Sequence, residues 1–308
     1  MLDVSIVIVS WNTRDLLARC LSAVYESSEG LSFEVIVIDN ASQDDSALML
    51  KNRFPDVILI ENEANLGFAI ANNIGVDQAN GRFILLLNSD AFVHANAVET
   101  LVRSMEAMPD TGASGCRLYY EDGQLQRTAY SFPTVLTELW TAVGLDKLFP
   151  KSRVFGKYRM TYWDLDDIRE VDYVMGACLM LRREALEQTG ALDENYFMYS
   201  EEVDLCYRLK RAGWKVRFIS TASATHIWGG SSRLVQDAET IYRLYSSRMK
   251  FFRKFYGSLR TYLYKIVLVI HSSIRILASI FTGWFVGWDK AFRMAYNYYV
   301  LLRRLPTL

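Results

Sequence analysis

The sequence predicts an α/β protein with a mostly parallel central sheet and a helical C-terminal appendage. Three observations predict it. Val4-Ser5-Ile6-Val7-Ile8-Val9, Phe33-Glu34-Val35-Ile36-Val37-Ile38 and Arg82-Phe83-Ile84-Leu85-Leu86-Leu87 are short, near-continuous apolar runs, the pattern of parallel strands buried on both faces. Each run ends in a polar cluster: Ser10-Trp11-Asn12, Asp39-Asn40-Ala41-Ser42 and Asn88-Ser89-Asp90. In open α/β sheets the carboxyl ends of strands are where ligands sit. Between the first two runs, Thr13 to Tyr25 carries Leu16, Leu17, Cys20, Leu21 and Val24 at helical spacing, which completes a βαβ unit.

Later elements follow in order. Asn65 to Gly75 reads as a helix opened by glycine and amides, in which Gly67 allows close backbone approach and Asn65 and Asn72 can hydrogen-bond a ligand. An ordinary amphipathic helix explains the same residues, and the segment lacks the GxxxxGK[ST] pattern of a phosphate-cradling loop. Arg127 to Asp167 reads as irregular, aromatic and charged, the character of variable recognition loops. Val171 to Leu181 reads as a strand whose small residues Gly176 and Ala177 either open space or simply permit close packing, and Trp214 to Ile219 as another, followed by His226.

The densest signal is Phe197-Met198-Tyr199-Ser200-Glu201-Glu202-Val203-Asp204-Leu205-Cys206-Tyr207-Arg208. Three carboxylates crowd a predicted helix start, with Ser200 as its N-cap and an Asp204–Arg208 pair at i,i+4 spacing. One acid would suffice to complement the dipole. Two adjacent acids point in different directions, so at least one faces whatever Phe197, Met198 and Tyr199 line, the setting of a general base.

Composition agrees. With 308 residues, 51% of them hydrophobic, the chain can bury one large core with an appendage. Cys20, Cys116, Cys178 and Cys206 form no CxxC or regular framework, so buried reduced thiols are expected, and Met1-Leu2-Asp3 leads into a strand without a basic leader. A cytoplasmic protein is expected, with no nucleic-acid partner. From residue 241 onward twelve Lys and Arg face one acid, Asp289, so a chain of net charge −1 divides into a basic tail of +11 and a remainder of −12. The tail interleaves these charges with Trp284, Trp288, Tyr296, Tyr298 and Tyr299, and Lys265, His271 and Arg275 interrupt its apolar run. The expectation is helices lying in an anionic membrane interface rather than a spanning segment. The alternative is a helical appendage that packs on the first domain or pairs two subunits as a homodimer.

The runs ending in Ser10-Trp11-Asn12 and Asp39-Asn40-Ala41-Ser42, the Asn65–Gly75 segment, Asn88-Ser89-Asp90 and Tyr199-Ser200-Glu201-Glu202-Val203-Asp204-Leu205 resemble, in order and spacing, the signatures of family 2 glycosyltransferases with the Rossmann-like GT-A fold. The resemblance covers roughly residues 3–230 and lies nearest the non-processive, rhamnosyltransferase-like branch of bacterial polysaccharide assembly. It implies a GT-A domain over 1–230, with a nucleotide-sugar half (1–110) and an acceptor half (111–230), followed by the appendage 231–308. Processive synthases of the family carry QxxRW, which is absent here, so single-sugar addition is implied.

The resemblance also implies roles. Asp39 would accept from the N3–H of uracil or thymine while Ser10, Trp11 and Asn12 wrap the base; capping of the next helix by Asp39 and Ser42 is compatible with this. Asn65, Gly67 and Asn72 would contact ribose or diphosphate. The family's DxD appears as Asn88-Ser89-Asp90, which leaves Asp90 as ligand to Mn²⁺ or Mg²⁺ and Asn88 as a hydrogen-bonding neighbour, although such a tripeptide also makes a good turn. His226, which alone would read as a structural histidine, would complete the metal site. Gly176, Ala177 and Tyr199 would lie on the acceptor side, Glu202 would be the base, Glu201 its alternate, and Asp204 an orienting residue. The implied reaction is inverting transfer of one sugar from dTDP-rhamnose or a UDP-sugar to a saccharide or lipid-linked acceptor, on the inner face of the cytoplasmic membrane. Two rivals remain: a nucleotidyltransferase that makes a nucleotide sugar, and a non-catalytic membrane-associated scaffold.

Overall fold

The computed structural model describes residues 2–28, 30–227 and 237–307. The chain runs through β1 (Leu2–Ser10), α1 (Arg14–Ser27), β2 (Phe33–Asp39), α2 (Ser46–Arg53), β3 (Ile58–Glu61), α3 (Phe68–Gln78) and β4 (Gly81–Asn88). β1 is central: it pairs parallel with β2 on one side and β4 on the other, and β3 extends the block from β2. Val4, Ile6, Val7 and Ile8 are fully buried, which is why the run is apolar at successive positions instead of alternating.

β5 (Ala91–Val93), α4 (Ala97–Ala107), β6 (Thr111–Tyr119), β7 (Leu125–Gln126) and β8 (Ala129–Tyr130) follow, then α5 (Val135–Ala142) and α6 (Leu145–Leu148). β9 (Arg169–Val171), β10 (Tyr173–Val174), β11 (Cys178–Arg182), α7 (Arg183–Thr189), α8 (Glu201–Arg211) and β12 (Lys215–His226) complete the α/β part, and α9 (Ala238–Val286) and α10 (Trp288–Arg304) end the chain. Among the described residues the main sheet has ten strands, with the path β3-β2-β1-β4-β11-β6-β12-β5. Beyond β4 it is mixed: β11 is antiparallel to both β4 and β6, and β12 is parallel to β6.

Three expectations change. The strand expected over Val171–Leu181 breaks into β9, β10 and β11: Met175 N turns to Thr128 O, and pairing with β4 starts where Ala177 O accepts from Asn88 N. The strand expected to stop at Ile219 continues through a register shift between Ile219 and Ser223 and carries His226 at its end. The region expected to be irregular contains α5, started by a Thr134–Thr137 capping box.

The chain forms two compact units. Among the described residues, the first holds 2–130, 165–197 and 201–227, and the second 131–164, 198–200 and 237–307. Residues 131–164, assigned by sequence to the acceptor half, thus cluster with the C-terminal helices; the expected boundary at 230–231 lies outside the described residues. In the second unit α9 bends at Gly257, where φ is 78°, and α10 packs along it. Phe252 stacks on Tyr264 at 4.3 Å, and Arg248 bonds Glu138 Oε1 and Tyr158 Oη at 2.6 Å each.

The tail also differs from expectation. His271 is buried, hydrogen-bonded to Tyr245 Oη at 3.0 Å and edge-on to Tyr298, while Lys265 and Arg275 are half-buried. The charges expected to interrupt the apolar run therefore turn inward. Among the described side chains, none of the exposed residues between Arg260 and Asp289 is charged. Within Ala238–Phe285 an 18-residue stretch has a mean hydropathy of 1.8, long and apolar enough to cross a membrane by length and composition, with 33% of it buried.

One helix–sheet contact depends on a glycine. A Cβ on Gly75 would lie 2.4 Å from Val7 Cγ1 and 2.7 Å from Ile38 Cδ1, both in the buried sheet. Gly75→Ala should gain about 1 kcal/mol of helix propensity and lose about 1–3 kcal/mol to overpacking, and the loss should win. A chemical-denaturation midpoint above wild type would show that α3 has room to shift.

Candidate active site

The register of the parallel block sets three polar groups level. Ser10 lies opposite Asp39, and Val9, its neighbour, opposite Asn88. A buried hydroxyl chain links the first cluster to the third: Ser10 Oγ and Thr13 Oγ1 are 3.0 Å apart, and Thr13 Oγ1 donates to Ser89 Oγ at 2.9 Å. Thr13 carried no expected role. Asp39 is 4% exposed; its Oδ2 accepts from Ser42 N at 3.0 Å, while its Oδ1 has no hydrogen-bond partner among the described residues. It does not cap α2, whose N-cap is Asp45. Trp11 stands exposed, and Asn12 is spent on the second cluster, accepting from Gln43 N and receiving Ser42 Oγ on its own N–H.

Asn40, also without an expected role, organises the next loop. It is buried, donates to Asn65 Oδ1 and accepts from Asn62 Nδ2 and Leu66 N. Asn65 Oδ1 also accepts from Gly67 N, so Asn65 shapes the turn before α3. Gly67 has φ 84°, and a Cβ there would lie 2.5 Å from Phe197 O, to which Phe68 N donates at 2.7 Å. Asn72, expected to face a ligand, is 1% exposed and donates back to Phe68 O within its own helix. The packing of α3 on the sheet turns it inward.

Asp90 and His226 meet because β5 pairs antiparallel with the end of β12, His226 opposite Ala91. His226 Nε2 lies 3.4 Å from Asp90 Oδ1 and 3.5 Å from Asn88 Nδ2, across 138 residues of sequence in the latter case. Both side chains are nearly buried. Asn88 Oδ1 is buried without a hydrogen-bond partner among the described residues. Among the described residues no three His, Cys, Asp or Glu side chains form a metal-binding group. The pair supplies one hard oxygen and one imidazole nitrogen, a donor set suited to Mn²⁺ or Mg²⁺ if diphosphate and water oxygens complete the shell.

The three acids of α8 have three environments. Asp204, fully buried, accepts from Arg208 Nε at 2.6 Å and from Tyr196 Oη at 3.3 Å. Arg208 in turn donates to Thr189 O, Gly190 O and Ala191 O, so the expected i,i+4 pair clamps the chain after α7. Glu201 is 5% exposed, and burial first, then the Glu202 charge, pushes its carboxyl well above the usual carboxylate range. Desolvation thus favours its neutral form. Glu202 is half-buried, and a Cβ built on Gly176 would sit 3.7 Å from Glu202 Cβ and 3.9 Å from Phe68 Cε1. Gly176 therefore leaves room between the acid and the start of α3. Ala177 is buried beneath it and accepts from Asn88 N. Tyr199 and Ser200 both adopt left-handed backbone, φ 72° and 67°, so Ser200 lacks the extended geometry of an ordinary N-cap.

Residues 5–190 match the profile of a family described as Glycosyl transferase family 2. N-acetylglucosaminyl-diphospho-decaprenol L-rhamnosyltransferase of Mycobacterium tuberculosis is 29% identical over 232 residues, 72% of this chain and 75% of that one. Rhamnosyltransferase WbbL of Escherichia coli is 25% identical over 72% of this chain and 83% of its own. Among solved structures, the mannosyltransferase PcManGT from Pyrobaculum calidifontis, in complex with GDP-Man and Mn²⁺, superposes with a TM-score of 0.61 at 14% identity, over 99% of this chain and 87% of that one. GalNAc-T7 with UDP, GalNAc and Mn²⁺ gives 0.53 at 18% identity, over 74% of this chain and 44% of its own. These two likenesses establish the GT-A fold. The profile match spans the strand-end clusters and stops short of α8 and His226; by it, this chain belongs to glycosyl transferase family 2, where it resembles the rhamnosyltransferase-like members.

Proposed function

We propose that this chain transfers a single sugar, with inversion, from dTDP-rhamnose or a UDP-sugar to a hydroxyl of a lipid-linked saccharide. The observation that carries the reading is the half-buried Glu202 beside Gly176, in the same compact unit as the buried Asp90–His226 pair. Asp39 Oδ1, buried and free to accept, suits the N3–H of a pyrimidine. Asp90 and His226 would hold Mn²⁺ or Mg²⁺, which when bound supplies counter-charge to the leaving diphosphate. Glu202 accepts the proton of the acceptor hydroxyl as its oxygen bonds the anomeric carbon and the bond to diphosphate breaks on the opposite face. Asp204, through Arg208, holds α8 in place. Nucleoside diphosphate as product, rather than pyrophosphate, separates this reading from the nucleotidyltransferase rival.

Location is the second part of the proposal. The exposed face of α9 presents Ile266, Ile270, Ile274, Leu277, Phe281 and Trp284, with exposed Arg253, Lys254 and Arg260 before it and Lys290 and Arg293 after. An apolar face with basic ends and interfacial tryptophans matches an anionic lipid surface, so peripheral attachment on the inner face of the cytoplasmic membrane is the reading favoured over a subunit interface.

Glu202→Gln should retain donor binding and lose on the order of 10²–10⁴-fold in transfer rate, whereas Glu201→Gln should lose far less. Wild-type turnover in Glu202→Gln would move the base elsewhere. EDTA should abolish activity and Mn²⁺ or Mg²⁺ restore it, with Asp90→Ala losing metal-dependent nucleotide binding by calorimetry; full activity in EDTA would refute the metal. Full-length protein should co-sediment with anionic vesicles. Replacing Phe281, Trp284 and Phe285 together by Ser should weaken this at least tenfold, since burying each aromatic contributes roughly 1.5–3 kcal/mol. Unchanged sedimentation, or a lipid-independent dimer lost in that variant, would favour the subunit interface.

A further inference from the structure

Gln126 belongs to no motif, yet it is 1% exposed and its Oε1 lies 3.0 Å from His226 Nδ1. We propose that Gln126 is a positioning residue that fixes His226 as the Nδ1–H tautomer and so aims the Nε2 lone pair at the space beside Asp90, ready for a divalent cation; the inference rests on the metal reading above.

An amide oxygen can only accept, so the proton of a neutral imidazole facing it must sit on Nδ1. Nε2 then carries the lone pair. In that tautomer the lone-pair nitrogen lies 3.4 Å from Asp90 Oδ1, a spacing at which an imidazole nitrogen and a carboxylate oxygen can share one cation. The neighbouring Asn88 Nδ2, at 3.5 Å from Nε2, offers a donor that the lone pair can accept weakly in the cation's absence.

The sheet explains how the contact forms. β7 and β12 flank β6, with Gln126 opposite Leu118 on one side and Ala224 opposite Leu118 on the other, so the glutamine reaches the histidine across one strand. Among the described residues Gln126 Nε2 has no hydrogen-bond partner although it is buried. Leaving a buried donor unpaired is costly, and an apolar side chain of similar size would avoid that cost. Packing alone therefore does not account for an amide at this position, whereas the bond to His226 does.

The test uses the full chain. In metal-free wild type, ¹⁵N–¹H correlation of the imidazoles should show His226 as the Nδ1–H tautomer, assigned among the three histidines with a His226→Ala sample. Electron paramagnetic resonance of free Mn²⁺, titrated in the presence of UDP and separately of dTDP, then reads affinity. Gln126→Met should lose about 10–100-fold, the usual effect of removing a partner behind a metal-ligating histidine, while Gln126→Glu, which restores an acceptor, should bind within a few-fold of wild type. An Nε2–H tautomer in the wild type overturns the proposal whether or not the variants fold, and so does wild-type Mn²⁺ affinity in Gln126→Met. Failure of wild type itself to bind Mn²⁺ would instead refute the metal reading, and the tautomer would still report on Gln126.

Discussion

The pairing of β1 with β2 and β4 is the constraint on which the rest depends. Parallel strands in register, buried on both faces, must end at one level, and only there can polar side chains leave the apolar layer. Ser10 opposite Asp39, with Asn88 beside them, is the direct result. The hydroxyl chain through Thr13 to Ser89 then ties the end of β1 to that of β4, so the turn bearing Asp90 is held from the first strand as well as from its own. A one-residue slip in either pairing would send these groups to the opposite face of the sheet.

Desolvation divides the acids that the site gathers. Asp39, Asp90, Glu201 and Asp204 are all at most 5% exposed, but their partners differ. Asp204 is matched by Arg208 and serves the architecture. For Glu201, burial and the neighbouring like charge outweigh a backbone hydrogen bond, which favours its protonated form. Glu202, one residue on, escapes full burial because it stands against Gly176. Adjacent positions on one helix thus acquire different chemistry from the surfaces that cover them.

The second unit solves a different problem. A tail of +11 with many aromatics could pair its charges with a partner or turn them away from an apolar face. It does the latter on α9, where His271 is buried between Tyr245 and Tyr298 and Lys265 and Arg275 lie half-covered. Burial holds the His271 imidazole down to about 4, so it stays neutral inside the unit at physiological pH. Among the described side chains, the exposed surface left on α9 between Arg260 and Asp289 carries no charge.

The sequence by itself determined the parallel block, its polar strand ends, the acidic helix and the basic tail, because each depends on periodicity or composition within a short window. It could also mark Asp90, Glu202 and His226 as candidates. Tertiary structure alone decided that Asn72 turns inward, that Glu201 is buried while Glu202 is half-buried, that 131–164 clusters with the C-terminal helices, and that Gln126 backs His226. Each of these depends on which distant segment covers a side chain: Gln126 and His226 are 100 residues apart and meet only because β7 and β12 share β6. Local pattern carries the preference of a strand or helix, but solvent exclusion and hydrogen-bond partnership are properties of the assembled sheet.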